Sequence, residues 1–96
     1  MEPASEHRAA PWDADFEAVI RPHLRRLGAD APVPPDVELR ALGLDSLALI
    51  ELLVAIEDEL GLEFPDELLT AQTFRTPTTL WAAVDSLRAG AAAQHG

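Results

Sequence analysis

Ser46 is the residue whose type and position could do chemistry. It follows Asp45 and precedes a long segment with helical apolar spacing, so Asp45 is predicted to cap a helix that begins at Ser46. The Ser46 hydroxyl is then expected to face solvent at the positive end of that helix. The helix dipole and the free backbone N–H groups would stabilise a phosphodiester there. The same pair of residues could instead only initiate a helix.

A catalytic serine is the other use of such a hydroxyl. Residues 43–47 lack the second glycine of a nucleophile elbow, and no strand pattern precedes them. The three histidines have no spacing that indicates a general base or a metal site; they are His7, His23 and His95. We therefore expect neither a catalytic residue nor a metal site, and we expect that the chain is not an enzyme.

Composition narrows the range of partners. The 96 residues fit one small domain, and 17 acidic against 7 basic residues give a formal net charge of -10. This balance argues against a nucleic-acid partner, which requires a basic face, and suits a partner with a basic surface. The same charge could instead serve only to keep the protein in solution. No apolar run approaches membrane-spanning length and no signal segment is present, so we expect a cytoplasmic protein without a membrane partner.

The chain contains no cysteine. It therefore has no disulfide framework, no thiolate metal site and no side-chain thiol that could carry an acyl group. Any thioester chemistry must use an added thiol.

Apolar periodicity predicts an all-α fold with three main helices, a short third helix and a long first loop. The first helix is expected over residues 13–27, kinked or shortened at Pro22 and ended by Gly28. Residues 29–44 are expected to form a loop that is held by its own apolar side chains, namely Val37, Leu39, Leu42 and Leu44.

The strongest helix is predicted over residues 46–60, with Gly61 as its end. A short helix is expected within residues 66–74. The last helix is expected to start at Pro77 after the N-cap Thr76 and to end at Gly90. We divide the chain into a tail at 1–11, a domain at 12–89 and a second tail at 90–96, and expect a free-standing, monomeric protein.

The helix at 46–60 is predicted to be apolar on two sides. At about 100° per residue, one arc forms a core stripe, which contains Leu49, Leu52, Leu53, Ile56 and Leu60. A second, narrower strip contains Leu47, Ile50 and Val54 and is bracketed by Glu51, Glu57 and Asp58. This strip either packs internally or remains available to a partner with a basic-rimmed groove. Availability is favoured because no Arg or Lys occurs between residues 41 and 74, which leaves the acidic residues of this stretch without local counter-charges.

Residues 42–53, LGLDSLALIELL, resemble the signature of acyl carrier proteins. The resemblance continues through the acidic end of this helix at residues 56–60, Phe64-Pro65, Thr73-Phe74 and the start of the last helix, and covers residues 16–87. It implies a four-helix bundle in which Ser46 receives 4'-phosphopantetheine from coenzyme A through a phosphopantetheinyl transferase. The terminal thiol of this arm would hold acyl groups as thioesters, which fits the absence of cysteine.

The resemblance also implies a recognition surface for the transferase and for acyl-loading and acyl-processing enzymes with basic docking surfaces. Its members would be Asp45, Leu47, Ile50, Glu51, Val54, Glu57 and Asp58. The tails and the third loop favour polyketide or related specialised biosynthesis over primary fatty-acid synthesis. A free-standing peptidyl or aminoacyl carrier remains an alternative, although Leu44-Asp45 favours the acyl type. A helical interaction domain without a prosthetic group is the second alternative.

Overall fold

The computed structural model describes residues 12–28 and 30–95, with side chains up to Gly90. Helix α1 spans Ala14–Ile20 and continues as a 3-10 turn at Arg21–His23. Helix α2 spans Ser46–Leu60, a second 3-10 turn spans Asp66–Leu68, and helix α3 spans Pro77–His95. No strand occurs within the described ranges. The predicted all-α fold is confirmed, with the short third element formed as a 3-10 turn.

Helix α1 is shorter than the predicted 13–27. Its α-helical part ends at Ile20, and the chain leaves helical geometry at Leu24 (φ -99°, ψ 78°). Pro22 is the physical reason, because it has no N–H to donate to the preceding turn and its ring crowds the carbonyl four residues earlier. The shortening at Pro22 is confirmed, and the prediction that Gly28 ends the helix is wrong.

Both predicted ends of α2 are confirmed. At the start, Asp45 has extended backbone geometry and its Oδ1 accepts a hydrogen bond from the Ala48 N–H at 2.8 Å. At the other end, Gly61 adopts the left-handed conformation (φ 65°, ψ 41°), which costs glycine little and other residues more. These two caps fix the length and the register of the helix that carries Ser46.

Helix α3 begins as predicted but extends further. The Thr76 hydroxyl accepts from the Thr79 N–H at 3.1 Å, and the Thr79 hydroxyl accepts from the Thr76 N–H at 3.0 Å. The prediction that Gly90 ends the helix is wrong, because α3 continues to His95. A single glycine costs a helix only about 1 kcal/mol relative to alanine, and an alanine-rich run surrounds this one. The predicted tail at 1–11 lies outside the described residues, and the domain division stays a prediction.

The core brings all segments of the described chain together. Helix α1 packs against α2, and Phe16 lies between two tryptophan rings, with ring centroids 5.8 Å from Trp12 and 5.2 Å from Trp81. Ile20, Leu52, Leu80 and Val84 are also fully buried. The buried hydrophobic residues are Trp12, Phe16, Ile20, Leu24, Val33, Leu39, Leu42, Leu44, Ala48, Leu52, Ile56, Phe64, Leu80, Ala83 and Val84.

The loop at 30–44 is held as predicted, with one exception. Leu39, Leu42 and Leu44 are buried, whereas Val37 is 40% exposed and Val33 is buried instead. Pro34 and Pro35 separate these two valines and limit how the chain can turn between them. The prediction that Val37 pins the loop is therefore wrong, and the loop reaches α2 through its three leucines.

Candidate functional site at the start of helix α2

Ser46 lies where the sequence predicts, as the first residue of α2, and its side chain is exposed. Asp45 is exposed too, but one of its carboxylate oxygens is committed to the helix cap. The Ser46 hydroxyl makes no hydrogen bond within the described part of the chain. It is therefore accessible and uncommitted at the positive end of a 15-residue helix.

Gly43 sets the geometry of the approach to Ser46. Its φ is 104°, and a Cβ at this position would lie 2.8 Å from the backbone nitrogens of Arg25 and Arg26. Only glycine allows the loop to lie this close to the turn after α1, where the Arg26 N–H donates to the Leu42 carbonyl at 2.9 Å. Sequence reasoning missed this role, although the glycine stands in the segment that resembles the carrier signature.

The second apolar strip of α2 lies on the surface. Leu47 is 62% exposed, and Ile50 and Val54 are each 59% exposed. They are spaced three and four residues apart, so their side chains share one face of the helix. The predicted availability of this strip is confirmed, and its role in binding partners stays a prediction.

The acidic residues around the strip differ in their environments. Glu51 and Asp58 are exposed, whereas Glu57 is half-buried and its Oε2 accepts a hydrogen bond from the Phe64 N–H at 2.9 Å. Glu57 therefore holds the segment that follows α2. Within the described ranges none of these three carboxylates takes part in an ion pair. The strip thus keeps an uncompensated acidic edge.

An open groove on another side of Ser46 was not predicted from the sequence. It has a volume of about 850 Å³, and four arginines line it together with Ser46, namely Arg25, Arg26, Arg40 and Arg75. These residues are far apart in the chain and belong to three separate segments. No local spacing pattern could have grouped them.

The described residues contain no helix that is long and apolar enough to cross a membrane. They also contain no group of three or more histidine, aspartate or glutamate side chains placed to hold a metal ion. The site consists of the Ser46 hydroxyl, the capping carboxylate of Asp45, the apolar strip of α2 with its acidic edge, and the groove lined by arginines.

Comparison with known sequences identifies relatives. The family described as "Phosphopantetheine attachment site" matches residues 24–84, which include Ser46. The acyl carrier protein of Helicobacter pylori strain G27 is 44% identical over 55 residues, covering 55% of this chain and 67% of that one. An acyl carrier protein homolog of Ureaplasma parvum is 47% identical over 34 residues. That match covers 35% of this chain and only 44% of the relative.

Among solved structures, the fold of this chain is similar to that of carrier proteins in complex with a ligase. The cognate carrier in complex with Bradyrhizobium japonicum glycine:[carrier protein] ligase superimposes with a TM-score of 0.63 at 24% identity, covering 77% of this chain and 99% of that chain. A carrier protein from Agrobacterium tumefaciens, in complex with an engineered form of the ligase, gives a TM-score of 0.58 at 31% identity. It covers 74% of this chain and 97% of its own. The chain belongs to the phosphopantetheine-attachment family and is a non-catalytic, acyl-carrier-like protein that bears phosphopantetheine.

Proposed function

We propose that Ser46 is the attachment point of 4'-phosphopantetheine. A phosphopantetheinyl transferase would direct the Ser46 Oγ onto the phosphorus of coenzyme A that bears pantetheine. The new oxygen–phosphorus bond would form as the phosphoanhydride bond breaks, the nucleotide part would leave with the bridging oxygen, and the hydroxyl proton would be released. The observation that carries this proposal is the exposed and unbonded Ser46 hydroxyl at the start of α2, inside the residues that the family covers. The arm supplies the thiol that the chain lacks, and this thiol would hold acyl cargo as a thioester.

The strip of Leu47, Ile50 and Val54, with its acidic edge, is the proposed docking surface for the transferase and for loading and processing enzymes. Apolar contact with the strip would provide affinity. The carboxylates of Glu51, Glu57 and Asp58 would steer the approach of a basic partner surface and fix its register. Asp45 would contribute mainly by holding the start of α2 in place. In this role the protein works as a monomer in the cytoplasm.

The first candidate for the cargo is an acyl intermediate of polyketide or related specialised biosynthesis. An aminoacyl group is the second candidate, and the likeness to the Agrobacterium tumefaciens carrier, bound to a glycine:[carrier protein] ligase, favours it. Offering each kind of cargo to the protein that bears the arm distinguishes the two candidates. A gain of one aminoacyl mass with ATP, glycine and such a ligase would support the second candidate. Loading only by an acyltransferase and an acyl-coenzyme A would support the first.

Intact mass spectrometry tests the attachment itself. The protein is incubated with coenzyme A and a permissive phosphopantetheinyl transferase, and we expect a gain of one phosphopantetheine. Ser46→Ala should abolish the gain, whereas Ser86→Ala, at an exposed serine on α3, should leave it unchanged. A gain that survives Ser46→Ala would place the arm elsewhere. No gain in the unaltered protein would favour an interaction domain without a prosthetic group.

A further inference from the structure

The groove beside Ser46 differs in charge from the rest of the molecule. Four of the seven basic residues of the chain line it, although the formal net charge of the chain is -10. Leu49 contributes to its wall from α2 and Phe74 from the segment before α3. The strip of Leu47, Ile50 and Val54 does not line it. Ser46 therefore stands at the boundary between an acid-edged apolar surface and a basic groove.

The carboxylates that line the groove do not neutralise it. They are Glu38 and Asp45. Asp45 is engaged in the cap of α2, and the Glu38 Oε2 lies 3.8 Å from the Arg75 Nε. The other three guanidinium groups are exposed and have no ion pair within residues 12–28 and 30–95. The groove thus presents several positive charges that nothing in the described structure compensates.

Backbone hydrogen bonds fix the walls of the groove. The Arg26 N–H donates to the Leu42 carbonyl at 2.9 Å, and the Leu39 N–H donates to the Arg75 carbonyl at 2.8 Å. The left-handed turn at Gly43 completes the contact between the loop and the turn after α1. The segments that carry the arginines are therefore held in register, and only the arginine side chains need to be ordered when an anion binds.

We propose that this groove binds the phosphate ester of pantetheine next to Ser46. The inference rests on the proposed function, since Ser46 must carry the arm. Guanidinium groups donate paired hydrogen bonds that match the geometry of phosphate oxygens. A phosphodiester on the Ser46 Oγ would be covalently tethered at the edge of the groove, and tethering populates even a weak contact. The same chemistry is present in free coenzyme A, so the groove can also receive the donor during loading.

This assignment predicts where the arm starts. The phosphodiester would turn toward the arginines, and the first part of pantetheine would pass along the apolar wall formed by Leu49 and Phe74. The strip on the neighbouring face of α2 would then stay uncovered for docking. The two surfaces at Ser46 would serve different ligands, an anion on one side and a partner protein on the other.

Amide spectra of ¹⁵N-labelled protein before and after loading test the proposal. On loading, we expect the Arg25, Arg26, Gly43 and Arg75 amide signals to shift. About 0.5 M NaCl should reduce the shifts by about half or more, because the groove is open to solvent. The triple variant Arg25→Gln, Arg26→Gln, Arg40→Gln should lose them. The control Arg88→Gln should keep them, since its exposed arginine pairs with Asp13 outside the groove. Circular dichroism checks that each variant is folded.

Titration of the apo protein with coenzyme A separates the two sources of phosphate. Shifts at the groove amides with the attached arm support the proposal. Shifts with free coenzyme A but not with the attached arm would show that the groove receives only the donor, and would contradict the path assigned to the arm. Shifts confined to Ser46 and its chain neighbours in both experiments would overturn the proposal, as would groove shifts that the triple variant retains. Intact mass on the same samples separates the failures. A loaded protein with unmoved groove amides contradicts only the groove, whereas an unloaded protein contradicts the attachment at Ser46.

Discussion

The two apolar faces of α2 have similar composition and opposite environments. Leu52 and Ile56 are fully buried and Ala48 is 1% exposed, whereas Leu47, Ile50 and Val54 are each about 60% exposed. The other three residues of the predicted core stripe are only half-buried, namely Leu49, Leu53 and Leu60. The difference arises from neighbours, because α1 and the leucines of the loop cover one face and nothing in the described structure covers the other. Hydrophobicity alone therefore does not assign a face to the core. An exposed apolar strip with a charged edge is typical of an interaction surface.

The largest expected difference between the two faces is in the free energy of unfolding after one large aliphatic residue on each face is truncated. Leu52→Ala should lower the free energy of unfolding by about 2 to 5 kcal/mol, because it leaves a cavity in the core. Ile50→Ala should change it by less than about 0.5 kcal/mol, because the side chain is already exposed and alanine favours helix. Urea denaturation followed by circular dichroism measures both values.

A small domain could fail to fold with Leu52→Ala, so a milder variant accompanies it. Ile56→Val removes one methylene from the same buried face and should cost about 1 kcal/mol. Equal effects of truncation on the two faces would show that the assignment of core and surface is wrong.

The exposed face should matter for loading instead of stability. Val54→Asp should leave the helical circular dichroism unchanged, because the side chain faces solvent. It should slow phosphopantetheine transfer by about tenfold, because docking would place an unpaired carboxylate against an apolar surface of the transferase. Ala82→Asp is the matched control, since it adds the same charge at an exposed position of α3. Equal rates for the two variants would locate the docking surface elsewhere.

The Asp45 cap at the start of α2 supports the whole helix, and removing it should lower the stability of the protein moderately. Asp45→Ala should destabilise the protein by about 1 kcal/mol, because the Ala48 N–H loses its acceptor. Asp58→Ala removes the same type of side chain from the exposed surface near the C-terminal end of the helix, where an acidic group is not favoured. It should change the unfolding midpoint little. A loss no larger for Asp45→Ala than for Asp58→Ala would contradict the role of the cap.

Features controlled by local chemistry were predictable from the sequence. The caps at Asp45 and Thr76, the left-handed end at Gly61 and the split between the two faces of α2 all follow from residue types at fixed spacing. The shortening of α1 at Pro22 also follows from local backbone geometry.

Two predicted helix ends were wrong because another local signal prevailed over a glycine. Pro22 ends the first helix before Gly28, and an alanine-rich context carries α3 past Gly90.

Features that depend on distant neighbours were not predictable. Val33 is buried and Val37 is exposed because of the side of the loop that packs against the core. The arginine groove combines residues from three segments that only the fold brings together. The exposed hydroxyl was therefore foreseeable, and its basic neighbour was not.

The smallest expected change in stability comes from an ion pair on α1, the helix that packs on the buried face of α2. The Arg21 guanidinium donates to a Glu17 oxygen at 2.9 Å and the Trp12 indole N–H donates to the other at 3.0 Å, and together they hold the Glu17 pKa below its ordinary value. Ionised Glu17 is therefore favoured in the folded state. Its contribution is complete above about pH 4.5 and is lost as the pH falls through the folded pKa.

Glu17→Gln keeps the shape of the side chain and removes this charge. At pH 7 it should lower the free energy of unfolding by about 0.5 kcal/mol, because the ion pair is partly exposed to solvent. The difference from the unaltered protein should shrink as the pH falls below about 4.5, where Glu17 takes up a proton in the unfolded chain first. Denaturation curves at pH 7, 5 and 3.5 measure it. A difference that stays constant across these pH values would contradict the contribution of the Glu17 charge, because that contribution must disappear once Glu17 is protonated in both the folded and the unfolded chain.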